Sequence, residues 1–310
     1  MRVIEGLDAL APPPGGSSVV IGTFDGVHRG HHALIGRAVD DANEHARRSV
    51  CVTWDRHPTE TLAPSKTPPL LTSLERKMEL LAATGLDIVA VLEFDDAFTK
   101  WPPRRFVEDV LADGLGARSV FVGSGFRFGH KAAGDIATLQ QLGRWLGFAA
   151  EAAPLFEAGG EPVSSTRVRR AVAAGDLELA ADLLGRPFEV EAEVVRGDAR
   201  GAALGYPTAN LPLGEGMARV PNGVYGGCAQ TKDGRYPAAV NVGVNPTFTH
   251  DKAARPRLEA HLLDFTGDLY SRPLRIELIT RLRDETRFAS AEELIIQIKK
   301  DVEATRSLTC

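Results

Sequence analysis

The sequence has few cysteines, no long apolar run and no basic leader. Only 3 of its 310 residues are cysteine, and Cys51, Cys228 and Cys310 are too widely spaced to match a metal-ligand pattern. The N-terminus lacks a basic segment followed by an apolar core, and no apolar stretch is long enough to span a bilayer. We therefore expect a cytoplasmic protein with no membrane association, in which Cys51 is a buried structural thiol.

The charge balance excludes a further class of function. A formal net charge of -5 and the lack of any long lysine or arginine run argue against a general nucleic-acid binder. The composition, 44% hydrophobic and 25% charged, is typical of globular proteins. The length allows two domains of ordinary size, and the sequence leaves a homo-oligomer open.

Residues 19–31, VVIGTFDGVHRGH, predict a strand, a glycine-containing turn and the start of a helix. Gly22 ends the β-branched run, and the helical pattern begins at Gly30. Such a turn places backbone N–H groups and the positive end of the helix dipole where a phosphate can bind. His28 and His31 can both face that pocket, where an imidazole can donate to a phosphate oxygen. The tetrapeptide His28-Arg29-Gly30-His31, taken alone, fits a pair of surface histidines equally well.

Strands and helices alternate through the first half of the chain. Further strands are predicted at 49–54, 88–94, 119–122 and 149–156, and helices at 73–83, 106–111 and 135–146. This alternation predicts a parallel sheet with right-handed crossovers. Ligands of such sheets bind outside the carboxyl ends of the strands, where the turn at 22–31 lies. The proline- and threonine-rich stretch 59–73 is predicted to be a loop.

Residues 163–169, VSSTRVR, open the last helical part of this half. Serine and threonine are good N-cap residues, so a capped helix would explain them. In the functional interpretation, the hydroxyls and free N–H groups bind a phosphate while Arg169 binds neighbouring oxygens.

Gly185-Arg186-Pro187 marks the predicted boundary between two domains, residues 1–185 and 186–310. After it come strands without intervening helices, which predict an antiparallel barrel. These strands are expected at 188–196, 223–231, 236–244, 257–264 and 273–283. Ser290 and Glu293 form a capping-box pattern that opens a terminal helix.

A glycine-rich stretch, residues 195–210, leads into Thr208 and Asn210 but lacks P-loop spacing. In an extended segment these two side chains lie on the same side, and their oxygens suit Mg²⁺ with bound phosphates. A plain hairpin loop is the alternative. Glu259 has apolar neighbours on a predicted strand, where a carboxylate can accept the proton of an attacking hydroxyl. A solvated, outward-facing carboxylate fits the same pattern.

The stretch at 19–31 and the Ser-Ser-Thr-x-x-Arg motif resemble the nucleotidyltransferase superfamily. Phe24-Asp25-Gly26 narrows the resemblance to the bacterial bifunctional riboflavin kinase/FAD synthetases. Motifs similar to those of flavokinases follow in order: Gly205 to Asn210, Asn222 to Tyr225, Asn241 to Gly243, Glu259 to Phe265 and Asp268 to Tyr270. The resemblance covers nearly the whole chain. It implies an α/β nucleotidyltransferase domain, Rossmann-like with a parallel sheet, followed by an antiparallel β-barrel flavokinase domain with a C-terminal helix.

The resemblance also implies two reactions that use Mg²⁺ and ATP: phosphorylation of riboflavin to FMN, and adenylylation of FMN to FAD. Catalytic roles are implied for His28, His31, Arg169 and Glu259. ATP binding at the adenylyl site is implied for Gly22, Phe24, Asp25, Gly30, Ser165 and Thr166. At the kinase site it is implied for Gly201, Gly205, Thr208 and Asn210, with Thr208 and Asn210 as metal ligands. Flavin binding is implied for His57, Phe126 and Phe128.

The sequence departs from the family pattern at two places. Arg56 stands in Trp-Asp-Arg-His-Pro, where the family usually has Phe-Asp-Pro-His-Pro. Ser124-Gly125 precedes Phe-Arg-Phe-Gly, where the family commonly has Asp or Asn. Two alternatives follow: a kinase whose first domain is a scaffold, and a non-catalytic flavin-nucleotide sensor. The two histidines together with Glu259 argue against a sensor, because binding alone needs no base.

Overall fold

The computed structural model describes residues 1–197, 200–243 and 257–310. They form two compact units, Met1–Ser165 and Thr166–Cys310. Among the described helices, none has the length and apolar character needed to cross a membrane.

The first unit has eight strands and five helices in addition to short 3₁₀ turns. The strands are β1 (Arg2–Glu5), β2 (Ser17–Ile21), β3 (Arg48–Trp54), β4 (Ile88–Leu92), β5 (Ala117–Gly123), β6 (Ala149–Ala153), β7 (Glu157–Ala158) and β8 (Glu161–Pro162). The helices are α1 (Arg29–Glu44), α2 (Pro58–Leu62), α3 (Leu74–Ala82), α4 (Pro103–Arg105), which continues as the π-helix Phe106–Gly114, and α5 (Ile136–Leu146). The 3₁₀ turns are Pro64–Lys66, Phe98–Lys100 and His130–Ala132.

Six of these strands form one parallel sheet in the order β1-β4-β3-β2-β5-β6. Because side chains alternate along a strand, the sheet has a buried core on each face. Val19 and Ile21 pack into one core, and Val20 and Cys51 into the other. The strand order reverses between β2 and β5, which places a crevice at their carboxyl ends. The predicted parallel α/β fold is confirmed.

The prediction of a loop over residues 59–73 is wrong in its first part. Helix α2 and the 3₁₀ turn Pro64–Lys66 occupy it. Pro58 stands in the first turn of α2, where its missing N–H costs nothing. The N-cap residue His57 and Glu60 form a capping box. Strand β1 and the hairpin of β7 and β8 were not predicted either.

The described part of the second unit contains a barrel and four helices. The strands are β9 (Phe188–Glu193), β10 (Ala209–Pro212), β11 (Gly223–Thr231), β12 (Gly234–Gly243), β13 (Arg257–Leu262) and β14 (Pro273–Arg283). The helices are α6, which starts at the unit boundary (Ser165–Ala174), α7 (Leu177–Leu184), α8 (Arg200–Ala203) and α9 (Ala291–Arg306).

The barrel strands are antiparallel in the order β10-β13-β12-β11-β14-β9. A bridge between Val195 and Asn210 joins the two ends of this sheet, since the Val195 N–H donates to the Asn210 carbonyl at 2.9 Å. Helix α9 packs on β11 and β12, and the Ser290 hydroxyl accepts the Glu293 N–H as the capping pattern predicts. The predicted barrel and terminal helix are confirmed.

A disulfide joins Cys228 on β11 to Cys310. The sequence does not predict this disulfide, because widely spaced cysteines carry no pairing information. The third cysteine, Cys51, is fully buried, as expected, and burial raises the pKa of its thiol.

Candidate active sites

The turn after β2 has an unusual backbone. Phe24 and Val27 have φ angles of 51° and 37°, and Gly26 has 80°. Positive φ is unfavourable for residues with a side chain, above all a β-branched one. Both Phe24 and Val27 are fully buried, so packing holds the strained backbone in place. At Gly22 an added Cβ would lie 3.0 Å from the Phe24 ring.

Asp25 fastens this turn to the segment that leads into α3. Its buried carboxylate accepts the N–H groups of Leu71 at 2.9 Å and Thr72 at 3.2 Å. In return, the Gly26 N–H donates to the Thr72 hydroxyl. The structure therefore gives Asp25, predicted to bind ATP, contacts that shape the turn.

His28 and His31 lie together at the N-terminus of α1. His28 is the N-cap residue, is only 4% exposed, and accepts the His31 N–H at Nδ1. Because that nitrogen is an acceptor, the neutral ring carries its proton on Nε2. The two imidazoles stack at 3.6 Å between centroids. This arrangement puts two ring systems beside the N–H groups and the dipole of a helix start, which suits an anion.

Two contacts bring the segment before α6 to this turn. The Ser165 hydroxyl donates to the Asp25 carbonyl at 3.0 Å. A Cβ on Gly30 would lie 3.1 Å from the Val163 carbonyl oxygen, so a larger residue there would have to push this segment away by a few tenths of an ångström. Ser165 begins α6, and the next predicted residues, Thr166 and Arg169, follow it on that helix in the second unit.

A pocket that is partly open to solvent lies at the carboxyl ends of β2 and β3. Its lining includes His57, one of the predicted flavin-binding residues. Phe126 and Phe128 are not among the lining residues. Their rings stack on each other with centroids 5.4 Å apart, and the Phe128 ring packs on Phe106.

Arg56, the first departure from the family pattern, lines the pocket with its charge paired. Its guanidinium donates twice to Asp55, at 2.9 and 2.7 Å, and lies 3.9 Å from Glu93. Partial burial acts to raise the pKa of Asp55, but the bonds from Arg56 and the Phe94 N–H outweigh it and lower that pKa.

Lys77, on α3, lines the same pocket and was missed by the sequence analysis. Its side chain is buried, with the residue 8% exposed, and its ammonium contacts Trp54, Thr53 and Thr23. A signal was present, because Lys77 falls three residues after Leu74 and four before Leu81, on the apolar face of the helix.

In the second unit, three polar residues stand opposite one another on adjacent strands. Asn210 on β10 pairs with Glu259 on β13, and Glu259 pairs with Asn241 on β12. Directly opposite residues project to the same face of a sheet. The structure thus brings together the predicted metal ligand Asn210 and the predicted base Glu259. Asn241 is an additional polar neighbour to which the sequence analysis gave no role.

The Asn210 side chain fits a metal ligand. The residue is 6% exposed, and its Oδ1 has no hydrogen-bond partner among the described residues. Its Nδ2 donates to the Thr208 carbonyl at 3.4 Å. A buried oxygen acceptor lacking a donor is rare, and a hard cation such as Mg²⁺ would satisfy it. The described ranges contain no group of three or more His, Cys, Asp or Glu placed to hold a metal.

The glycines before β10 allow a tight turn. The Gly201 carbonyl accepts the N–H groups of Leu204 and Tyr206, and a Cβ on Gly201 would lie 2.4 Å from the Tyr206 carbonyl. Gly205 has a φ of +87°, which favours glycine. His261 Nδ1 donates to the Pro207 carbonyl at 2.8 Å, which ties this loop to β13.

Comparison with known proteins finds relatives along the entire chain. A family described as FAD synthetase matches residues 11–167, and one described as riboflavin kinase matches residues 184–309. Bifunctional riboflavin kinase/FMN adenylyltransferases are similar at full length. The one from Pseudomonas fluorescens is 41% identical over 99% of this chain and 98% of its own. The one from Bacillus subtilis is 32% identical over 92% and 90%.

A solved structure described as a macrolide-efflux protein from Streptococcus pneumoniae has a TM-score of 0.88 and 28% identity, and covers 100% of both chains. That description concerns the other protein.

Proposed function

Because the chain belongs to the bifunctional riboflavin kinase/FMN adenylyltransferase family, we propose that it converts riboflavin to FAD in two ATP-dependent steps. The observation that carries this proposal is the presence of both family matches in one chain. The riboflavin kinase match begins at residue 184, close to the proposed domain boundary between residues 185 and 186, where Gly185 ends α7 in the left-handed conformation.

In the kinase step, Glu259 accepts the proton of the ribityl 5′-hydroxyl as that oxygen attacks the γ-phosphorus of ATP. The γ-phosphoryl group is transferred, giving FMN, and ADP leaves. Thr208 and Asn210 would hold Mg²⁺, which supplies charge neutralisation at the phosphates when bound. The placement of Asn210 directly opposite Glu259 supports this assignment. The Gly201–Gly205 loop borders the same strand and is assigned to ATP.

In the adenylyl step, the FMN phosphate oxygen attacks the α-phosphorus of ATP and pyrophosphate leaves. This nucleophile is already anionic, so no strong base is needed and catalysis rests on positioning and charge stabilisation. We assign the charge-stabilising roles to His28, His31 and Arg169. The burial of His28 at the start of α1 supports this assignment. Phosphate contacts are assigned to Ser165 and Thr166.

The remaining residues of this site have supporting roles in the proposal. Gly22, Phe24, Asp25 and Gly30 shape the ATP-binding turn, as their packing and hydrogen bonds suggest. His57, Phe126 and Phe128 are assigned to the flavin.

The test is an assay of the purified protein with riboflavin, Mg²⁺ and ATP, with products separated by chromatography. We expect FAD. FMN alone would support the kinase-only alternative, and neither product would support the sensor. His28→Ala should abolish FAD formation and leave FMN formation intact, whereas His45→Ala, at the exposed end of α1, should leave both.

Glu259→Gln should abolish FMN formation yet still allow FAD formation from supplied FMN. Its control is Glu191→Gln on β9, a carboxylate paired with Arg275, which should leave both reactions intact. Equal loss of both activities in either site variant would contradict separate sites.

We further propose a cytoplasmic location, because both reactions consume ATP. Cell fractionation tests it. Light scattering of the purified chain will show whether it forms a homo-oligomer.

A further inference from the structure

A buried lysine with no role in the proposed reactions lies in the first unit. The Lys77 ammonium donates to the Trp54 carbonyl at 2.9 Å, to the Thr53 hydroxyl at 3.3 Å and to the Thr23 carbonyl at 3.4 Å. The Thr53 hydroxyl in turn donates to the same Thr23 carbonyl at 3.2 Å. One cation therefore joins the ends of two neighbouring parallel strands.

The two strand ends carry different parts of the proposed adenylyl site. Thr23 follows β2 and opens the turn that leads to His28. Trp54 ends β3 and precedes the segment that carries His57. The separation of the histidine turn from the His57 segment thus depends on what holds these two carbonyls together.

The number of donors argues against a direct contact with substrate. An ammonium has three N–H donors, and Lys77 has three protein acceptors at hydrogen-bond distance. A phosphate would have to displace one of them. Burial lowers the pKa of Lys77, while Cys51, Asp25 and Asp55 act in the opposite direction.

We propose that Lys77 is a positioning residue of the adenylyltransferase, which ties the Thr23 carbonyl to the Trp54 carbonyl and so sets the geometry between the His28 turn and the His57 segment. This inference rests on the proposed FMN adenylylation. Lys77 acts through the backbone of these segments, and its loss should affect the chemical step more than the binding of ATP or FMN.

The experiment measures FAD formation from FMN and FMN formation from riboflavin in the same preparations of wild type and Lys77→Met. We expect kcat of FAD formation to fall about tenfold to a hundredfold, as for a small misplacement of reacting groups. KM for ATP and FMN should stay within about threefold. The kinase reaction is an internal control and should be unchanged.

Leu139→Ala is the control for stability. Leu139 is fully buried on α5 and packs in the core on the opposite face of the sheet from Phe24 and Val27, so its truncation should destabilise the first unit without moving the His28 turn. It should lower the melting temperature and leave kcat of FAD formation unchanged. A Lys77→Met enzyme that also keeps its kcat would overturn the proposal, as would a raised KM with unchanged kcat, which indicates a substrate ligand.

Thr53→Val gives a second, milder test that keeps the lysine. It removes one acceptor of the ammonium and one donor to Thr23 with little change of shape. We expect a smaller drop in kcat, and little further drop when it is combined with Lys77→Met, because both act on one network. Additive effects would overturn the proposal. A wild-type protein that makes FMN but no FAD would overturn the proposed adenylylation itself, which is a separate result.

Discussion

The carboxylate of Asp25 accepts the backbone N–H of Leu71 at 2.9 Å, although 46 residues separate them. The same side chain accepts the Thr72 N–H at 3.2 Å. Both bonds are buried, so the strained turn after β2 and the segment before α3 depend on one carboxylate.

Asp25→Ala is therefore expected to lower the free energy of unfolding by about 1–3 kcal/mol, because it leaves buried N–H groups without an acceptor. Asp25→Asn should cost less, since an amide oxygen can still accept. Urea unfolding followed by tryptophan fluorescence is the measurement. It reports on the first unit, because Trp54, Trp101 and Trp145 all lie there. An alanine variant that unfolds at the same urea concentration as wild type would contradict this account.

The stability of the first unit depends on pH through the carboxyl group of Asp87. Its carboxylate accepts the N–H and hydroxyl of Ser49, at 2.9 and 3.0 Å, and pairs with Arg48 at 2.8 Å. Partial burial acts to raise the pKa of Asp87, but these bonds outweigh it, so the pKa is lowered. A carboxyl with a lowered folded-state pKa stabilises the fold above its unfolded-state pKa, about 4, and loses this effect as the pH falls through the folded value.

Asp87→Asn should thus destabilise the first unit at neutral pH, and the difference from wild type should shrink as the pH falls below about 4. Urea unfolding at several pH values measures it. Asp113→Asn is the control, because Asp113 is exposed on the π-helix. A difference that stays constant with pH would show that the charge of Asp87 is not the cause.

Much of the fold could be predicted from local patterns. The strand predicted from the β-branched run at 19–21 and the helices predicted at 73–83 and 135–146 are present in the structure. Ser73 and Asp135 are the N-caps of these two helices, and caps act locally. Helix α2 was missed because proline and threonine favour loops on average, whereas here Pro58 and the His57 cap start a helix.

The site was only partly predictable, for a different reason. His28 and His31 are neighbours in the sequence, so their meeting could be foreseen. Lys77 reaches acceptors 23 to 54 residues away, and Asn241 meets Glu259 only through strand register. The position of Lys77 on the apolar face of α3 indicates that it is buried, but the partners of Lys77 and of Glu259 are set by tertiary packing and leave no spacing signal.

The disulfide between Cys228 and Cys310 should act as a removable link. It closes a loop with a sequence separation of 82, which in the chain-entropy model stabilises the fold by at most about 4.5 kcal/mol. We expect the oxidised protein to melt at a higher temperature than the same protein in dithiothreitol, with the loss of the two thiol hydrogens visible by intact mass.

Cys310→Ser should melt like the reduced wild type and should be insensitive to dithiothreitol. Cys51→Ser is the wrong control, because Cys51 is buried in the core, so the reduced wild type serves as the reference. If the oxidised wild type melts at the same temperature as the reduced form, the disulfide does not stabilise the second unit. The cytoplasm, the proposed location, is a reducing compartment that keeps such cysteine pairs as thiols. The dithiol form is therefore expected to retain both activities.

Gly125 has open space where the family commonly has a polar side chain. An added Cβ would find no atom within 4 Å, and the residue has no positive φ that would strain a substitution. It follows β5, at the crevice where the strand order reverses.

Gly125→Asn should therefore leave the melting temperature unchanged. It should also lower KM for FMN by about two- to tenfold, as one regained hydrogen bond would. Gly125→Ala adds the Cβ alone and should leave KM at the wild-type value. Equal KM values for the asparagine and alanine variants, measured with purified enzyme and FMN as the varied substrate, would show that no ligand contact is missing at this position.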